Sequence, residues 1–276
     1  MRIVTFRRNG IVQHGVRTGN AIRVHPNAVS AVDLAVNGAS PAAAENVAHA
    51  DVELLPPVPR PGKIICIGLN YRAHAIEGGN AIPNYPAVFM RGATSLTAPG
   101  GEILYPECSD KLDYEAELAV VIGRTATNVS ASDALSHVAG YSCFNDGSVR
   151  DYQRKSTQWT MGKNFDSTGG FGPELVTPDE LPAGAAGLRL VARLNGEIMQ
   201  DSNTADMIFD VATLVTTLSE AMTLEPGDVI ATGTPSGVGY ARTPPVFMRP
   251  GDVIEVEIDG IGTLTNTIAR RAHSKA

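Results

Sequence analysis

The sequence predicts a mostly β protein of the α+β class, with a large domain of sandwich or roll type behind a small N-terminal domain. Three observations predict it. Strand signals clearly outnumber helix signals beyond residue 60. Pro-Gly followed by a short apolar run recurs at Pro61-Gly62-Lys63-Ile64-Ile65, Pro226-Gly227-Asp228-Val229-Ile230 and Pro250-Gly251-Asp252-Val253-Ile254. Each of these is a turn leading into a strand. The stretch Leu54-Leu55-Pro56-Pro57-Val58-Pro59-Arg60-Pro61-Gly62 carries four prolines, which make a stiff, extended linker. The boundary there gives a small domain at residues 1–58 and a large one at 59–276.

The first segment holds short alternating stretches, Ile3-Val4-Thr5-Phe6 and Ile11-Val12, and then an Ala-rich polar segment up to about residue 50. The Pro-Gly turns read as one local solution used repeatedly, not as a domain repeat. Leu118-Ala119-Val120-Val121-Ile122 has the continuous apolar character of a buried strand. A short helix is expected from about Ser132 to Val138, and strands at Gly187–Leu194 and Ile254–Leu264. The strongest helix signal runs from Ala205 to Met222. There Ile208, Val211, Ala212, Val215, Leu218 and Met222 recur at helical spacing, and Asn203 or Thr204 is placed to cap it.

With 276 residues the chain is long enough for a large core. Its net charge of −7, with acidic and basic residues interspersed, argues against a nucleic-acid partner, because phosphate binding needs clustered Lys and Arg. No apolar run approaches the roughly 18 residues of a membrane span. The opening Met1-Arg2-Ile3-Val4-Thr5-Phe6-Arg7-Arg8 turns polar before a signal-peptide core forms. Cys66, Cys108 and Cys143 are far apart and odd in number. Reduced thiols in a cytoplasmic protein are the simplest account, with Cys66 and Cys143 in the core.

The chemistry concentrates in a few motifs. In Asp113-Tyr114-Glu115-Ala116-Glu117-Leu118, a strand puts Glu115 and Glu117 on one face, with Ala116, Leu118, Val120 and Ile122 on the other. Two such carboxylates repel unless a cation lies between them or water solvates both. An edge strand with two solvated acids stands as the alternative. Asp146, in Asn145-Asp146-Gly147-Ser148, ends another apolar run and is placed to reach a neighbouring strand; Asx-Gly is also an ordinary turn. Glu115, Glu117 and Asp146 together make three hard oxygen ligands suited to Mg²⁺ or Mn²⁺. His74 and Glu77 are three residues apart and meet on one face if the segment is helical. The glutamate then orients an imidazole able to take a proton from water. Gly78-Gly79 offers a hinge for a lid; a surface turn with a chance pair is the alternative. Lys163, among apolar and small residues, needs an anion. A substrate carboxylate, an enolate, Asp166 or Asp151 would each serve. Thr232-Gly233-Thr234-Pro235-Ser236-Gly237-Val238-Gly239 is either a plain turn or a loop whose N–H groups cradle a carboxylate.

Taken together the chain resembles the fumarylacetoacetate hydrolase family, in its acylpyruvate hydrolase and oxaloacetate decarboxylase-like branch. Five motifs stand in the family's order over roughly residues 60 to 268. They are Gly68-Leu69-Asn70-Tyr71 leading to His74 and Glu77; Asp113 to Leu118; Asn145 to Asp151 with Gln153; Gly162-Lys163-Asn164-Phe165-Asp166; and Thr232-Gly233-Thr234-Pro235. The resemblance implies a mixed β-sandwich roll, usually dimeric. It implies Mg²⁺ or Mn²⁺ on Glu115, Glu117 and Asp146, and water activation by His74 and Glu77 on a lid. Lys163, Gln153 and Thr234 fall at positions that contact substrate or its developing charge, and Arg91 at one where the family often has a basic residue near the pocket. Gly147, where the family often has a larger apolar residue, and the glycine-rich Ser167-Thr168-Gly169-Gly170-Phe171 depart from the pattern.

The function expected is metal-dependent hydrolysis of a C–C bond in a 2,4-dioxo acid of acylpyruvate type, giving pyruvate or a substituted pyruvate plus a carboxylic acid. Decarboxylation of an oxaloacetate-like acid, and isomerisation or hydration of an unsaturated 2-oxo acid, are alternatives on the same site. A metal-stabilised binding protein without turnover is a further class; it has no use for His74, Glu77 and Lys163.

Overall fold

The computed structural model describes residues 1–38 and 45–271, so part of the Ala-rich segment lies outside the described residues. A mixed sheet of twelve strands forms the frame. Across it run, in order, Asn46–Ala48, Ala21–Val24, Ile11–Thr18, Arg2–Arg8, Gly169–Val176, Val138–Asp146, Ala116–Ile122, Val229–Ala231, Ile64–Gly68 and Ala87–Arg91. Glu53–Leu55 pairs with Arg2–Arg8, and Leu96–Thr97 with Gly169–Val176. A second sheet of five strands, Glu197–Asn203, Arg189–Leu194, Val253–Ile258, Gly262–Arg270 and Glu102–Tyr105, packs on it. Strands dominate and helices are few, so the fold is α+β as expected.

The Ala116–Ile122 strand is buried on both faces, and its alternation sorts its side chains between two cores. Leu118, Val120 and Ile122 meet Leu190, Ile254, Val256 and Leu264 of the second sheet. Ala119 and Val121 face Ile64, Cys66, Phe144 and the N-terminal helix residues Ala31, Val32 and Leu34. Burial of these branched side chains, at roughly 1.5–3 kcal/mol each, is what fixes this strand's register.

Two of the three Pro-Gly turns share one solution, while at the third the Lys63 N–H donates to Asp228 at 2.8 Å. The Asp228 carboxylate accepts from the N–H of Glu225 at 2.7 Å, and Asp252 accepts from Arg249 at 2.6 Å. In both, an acid three residues on closes the turn before the strand starts.

Three expectations of secondary structure need correction. The helix expected at Ala205–Met222 is the helix Val211–Ala221 preceded by a 3-10 turn, Thr204–Asp206. The N–H groups of Ile208 and Phe209 are taken by Asn70, at 2.8 Å each, so the helix starts only after Asp210, which caps Thr213. The segment near Ser132 is a 3-10 turn, Ala134–His137. The strand Ile254–Leu264 is two strands, because Asp259-Gly260 turns the chain with Gly260 at φ +74°. The residue 58/59 boundary is no break in the sheet. Ile3 pairs with Leu175, and buried Glu174 holds Arg2 and Arg17, each at 2.6 Å.

Cys66 and Cys143 are buried and Cys108 is exposed, all as free thiols. Among the described residues no helix is long and apolar enough to cross a membrane.

Candidate active site

The expected strand through Asp113 and Glu117 is broken. Leu112–Asp113 and Ala116–Ile122 are separate strands, with Tyr114 and Glu115 between them. Asn145 causes the break and organises it: its side-chain oxygen accepts from Glu115 N–H at 3.0 Å, and the Asp146 N–H donates to the Glu115 carbonyl at 2.9 Å. Ala116 then pairs with Asn145 and Glu117 with Phe144. The consequence is convergence. Glu115, Glu117 and Asp146, all buried, bring one oxygen each within 4.8 Å of one another.

Buried carboxylates need counter-charge. Asp113, Glu115, Glu117 and Asp146 face Arg91, Arg150 and Lys163, so four acids meet three bases, all buried. Arg150 Nε donates to Asp113 at 2.7 Å. Its Nη2 lies 2.6 Å from Glu115 as an ion pair without hydrogen-bond alignment. Lys163 Nζ donates to Glu115 and to Asp146, each at 2.6 Å, and Arg91 pairs with Asp146. Against burial, Arg150 and Lys163 hold the Glu115 carboxyl below its usual range. Glu117 is left over. Its partner is the Gly233 N–H at 3.0 Å, and burial together with Asp146 and Glu115 pushes its carboxyl well up. The carboxyl left without a counter-charge therefore belongs to an oxygen-only donor set. That fits a hard divalent cation on Glu115, Glu117 and Asp146.

Lys163 finds its anions in Glu115 and Asp146. The other partners considered for it are engaged elsewhere: Asp151 accepts from Ser109 and Asp166 pairs with Arg271. Arg91 stands one layer back from the cleft. It is buried, absent from the cleft wall, and stands behind Asp146. Its Nε donates to Ser95 at 3.1 Å, its Nη1 to the Gly147 carbonyl at 3.1 Å and its Nη2 to Thr168 at 2.9 Å. The two glycine departures explain its position. A Cβ at Gly169 would meet the guanidinium at 2.9 Å, and one at Gly147 would meet the Thr168 carbonyl at 2.1 Å. Both glycines let the backbone close around the arginine.

The cleft beside the triad has a volume of about 240 Å³ and is lined by His74, Glu115, Glu117, Asp146, Gln153, Lys163 and Thr234, among others. That is below the roughly 300–1,000 Å³ of drug-sized pockets, so a small substrate fits. His74 lies on the helix Arg72–Glu77, with its Nδ1 3.3 Å from Glu77. Glu77 also accepts from the Gly237 N–H at 2.9 Å. The glycine loop thus cradles carboxylates of the protein itself, Glu117 through Gly233 and Glu77 through Gly237. Thr234 is fixed by Gln200, whose Nε2 donates to its hydroxyl at 2.8 Å. Gln153 accepts from Arg150 Nη1 at 2.9 Å.

Sequence reasoning passed over Arg150, Tyr240 and Asn70 as individual residues. Arg150 stood inside a quoted motif, one turn after Asp146, and a basic residue beside three clustered acids was the available signal. Tyr240 lines the cleft with its ring against Arg150, and no local pattern marks it. Asn70 clamps two loops, donating to the carbonyls of Phe209 at 3.0 Å and Thr232 at 2.7 Å.

Residues 63–269 match the family described as "Fumarylacetoacetate (FAA) hydrolase C-terminal". The chain belongs to the fumarylacetoacetate hydrolase family. Oxaloacetate tautomerase YisK of Bacillus subtilis (strain 168) is 48% identical over 222 residues, covering 79% of this chain and 73% of that protein. The mitochondrial oxaloacetate tautomerase FAHD2A of Homo sapiens is 42% identical over 222 residues, covering 80% of this chain and 70% of that one. Among solved structures, the fumarylacetoacetate hydrolase of psychrophilic Exiguobacterium antarcticum superposes with a TM-score of 0.88 at 36% identity, covering 98% of this chain and 100% of that chain. This member of the fumarylacetoacetate hydrolase family is accordingly an enzyme. Its relatives include oxaloacetate tautomerases, and its buried acidic triad is suited to a divalent metal.

Proposed function

We propose that this enzyme catalyses keto–enol tautomerisation of a small 2-oxo acid, with oxaloacetate as the type substrate. The observation that carries it is the juxtaposition of the Glu115–Glu117–Asp146 triad and the His74–Glu77 pair on one small cleft. The oxaloacetate tautomerases among its relatives support the substrate class. A divalent ion on the triad, Mg²⁺ or Mn²⁺, would supply Lewis-acid polarisation of the 2-oxo group.

The protein's own groups do the rest. Glu77 faces His74 Nδ1, which favours the tautomer with the proton there and leaves Nε2 as the base. Enolisation breaks the C3–H bond: the proton goes to His74 and the electron pair to the 2-oxo oxygen. Solvent protonates that oxygen, and the reverse sequence restores the ketone. Lys163 and Arg150 place positive groups beside the triad, where negative charge develops. Burial of His74, Lys163 and Arg150 strengthens their fields.

A second reading, hydrolysis of a 2,4-dioxo acid, is supported by the same His74–Glu77 pair, which suits water activation. One experiment separates the two. The enol absorbance of oxaloacetate is followed with Mg²⁺, Mn²⁺ or EDTA, in parallel with pyruvate release from acetylpyruvate and CO₂ release from oxaloacetate. Metal-dependent acceleration of enol decay, lost in His74→Ala, is the expected result. Uncatalysed enol decay with metal-dependent acetylpyruvate cleavage would replace the tautomerase reading by the hydrolase one. CO₂ release without enol decay would make it a decarboxylase.

A further inference from the structure

Arg150 and Arg154 stand one helical turn apart, with the Arg154 N–H on the Arg150 carbonyl at 3.2 Å. Both guanidinium groups lie over the same Tyr240 ring, 4.5 and 4.6 Å from its centre. Their surroundings differ. Arg150 is buried and answered by Asp113 and Glu115. Arg154 is exposed, lines the cleft, and pairs with no carboxylate among the described residues. The other basic groups on the cleft wall are committed: Arg150 as described, Lys163 to Glu115 and Asp146, and the His74 ring to Glu77.

An aromatic ring shared by two guanidinium groups places like charges near each other, and the ring's negative face offsets only part of that repulsion. An anion beside Arg154 would offset the remainder. Contact with the Tyr240 ring uses none of the guanidinium's N–H donors in a hydrogen bond to a carboxylate. The N–H edge matches a carboxylate with two parallel hydrogen bonds. The stack also holds the side chain in place, so less rotamer freedom is lost on binding. Tyr240 itself is set by Asp113, which accepts its N–H at 3.0 Å, so the platform is tied to the buried charge cluster.

We propose that Arg154 is a specificity-determining residue: it receives the distal carboxylate of a dicarboxylic 2-oxo acid and selects it over a monocarboxylic one. The inference rests on the 2-oxo acid reading for the occupant of the cleft. It is tested by binding, independently of turnover. Calorimetry with Mg²⁺ present compares 3,3-dimethyloxaloacetate with 3,3-dimethyl-2-oxobutanoate. Neither enolises, they differ only by a carboxylate in place of a methyl group, and CO₂ release from the diacid is followed in parallel so that its decarboxylation heat is subtracted from binding. The wild-type protein is expected to prefer the diacid. Arg154→Gln should weaken diacid binding about tenfold or more, the scale of one lost charge-assisted pair, and monoacid binding much less. Arg154→Lys should recover part of the preference. Equal losses for both ligands, an unchanged diacid affinity, or no diacid preference in the wild type would each overturn the proposal. Parallel assays of oxaloacetate enol decay judge the tautomerase reading separately. A protein without turnover that still binds the diacid through Arg154 would sink that reading and keep this one.

Discussion

Gly147→Ala is a one-atom perturbation with a calculable result. The added Cβ would stand 2.1 Å from the Thr168 carbonyl oxygen and 3.1 Å from its carbon, where ordinary contacts begin at 3.4 Å. Backbone must therefore move by more than 1 Å. Thr168 has little room to give. Its hydroxyl accepts from Arg91 at 2.9 Å and donates to Phe165 at 2.7 Å, and the next residue, Gly169, pairs with Asp146 in the sheet. Because backbone meets backbone, the upper part of the range for overpacking applies, about 2–3 kcal/mol. At roughly 2–4 °C per kcal/mol for a domain of this size, Tm should fall by about 4–12 °C. Differential scanning calorimetry reads this directly. Gly92→Ala is the control, with an ordinary φ of −88° and its nearest neighbour 3.6 Å away. A Gly147→Ala protein melting within about 1 °C of wild type would refute the idea that this glycine is required by close approach.

Other perturbations test other parts. Lys163→Met leaves Glu115 and Asp146 short of a buried counter-charge, so the metal-free protein should lose about 3–5 kcal/mol. Added Mg²⁺ should then raise Tm more in the variant than in wild type; equal rises would count against a shared site. Glu174→Gln removes the acid that ties Arg2 and Arg17 to the strand Gly169–Val176. Since both arginines are partly exposed, the cost should be about 1–3 kcal/mol, read by urea denaturation, with faster proteolysis of the first strands. His14 should make stability pH-dependent. Burial holds its pKa below the ordinary 6.5, with Asp33 opposing weakly. The unfolded chain thus takes up a proton near pH 6.5 that the folded protein refuses until lower pH. Its contribution is complete above pH 6.5 and shrinks as pH falls. Urea titrations at pH 7.5 and 5.5 should show a smaller acid loss in His14→Asn than in wild type.

The frame was legible because its signals are local. Proline-glycine turns, the apolar run at Leu118–Ile122 and the Asx-Gly ending at Asp146 each report their own backbone. The acidic triad was legible for the same reason, since two ligands share one motif. What was missed is set by partners distant in sequence. Asn70 shortens a helix more than 130 residues away by taking two of its N–H groups. For Arg91 the resemblance implies only a basic residue near the pocket; its neighbours Gly147 and Gly169, brought round by the sheet, set it behind Asp146. Lys163 was correctly read as needing an anion, but only the fold names Glu115 and Asp146.

The pairing of Arg2–Arg8 with Gly169–Val176 reaches beyond the N-terminal segment itself. The stretch that matches the family begins at residue 63, yet a chain started there would leave one side of Gly169–Val176 open over the registers Val176 and Leu175. Unpaired N–H and C=O groups on a flat central strand recruit other chains. The same strand pairs directly with the one carrying Asp146. The strand Arg2–Arg8 therefore covers a side of the sheet that the family-matching stretch alone would leave open, one strand away from Asp146.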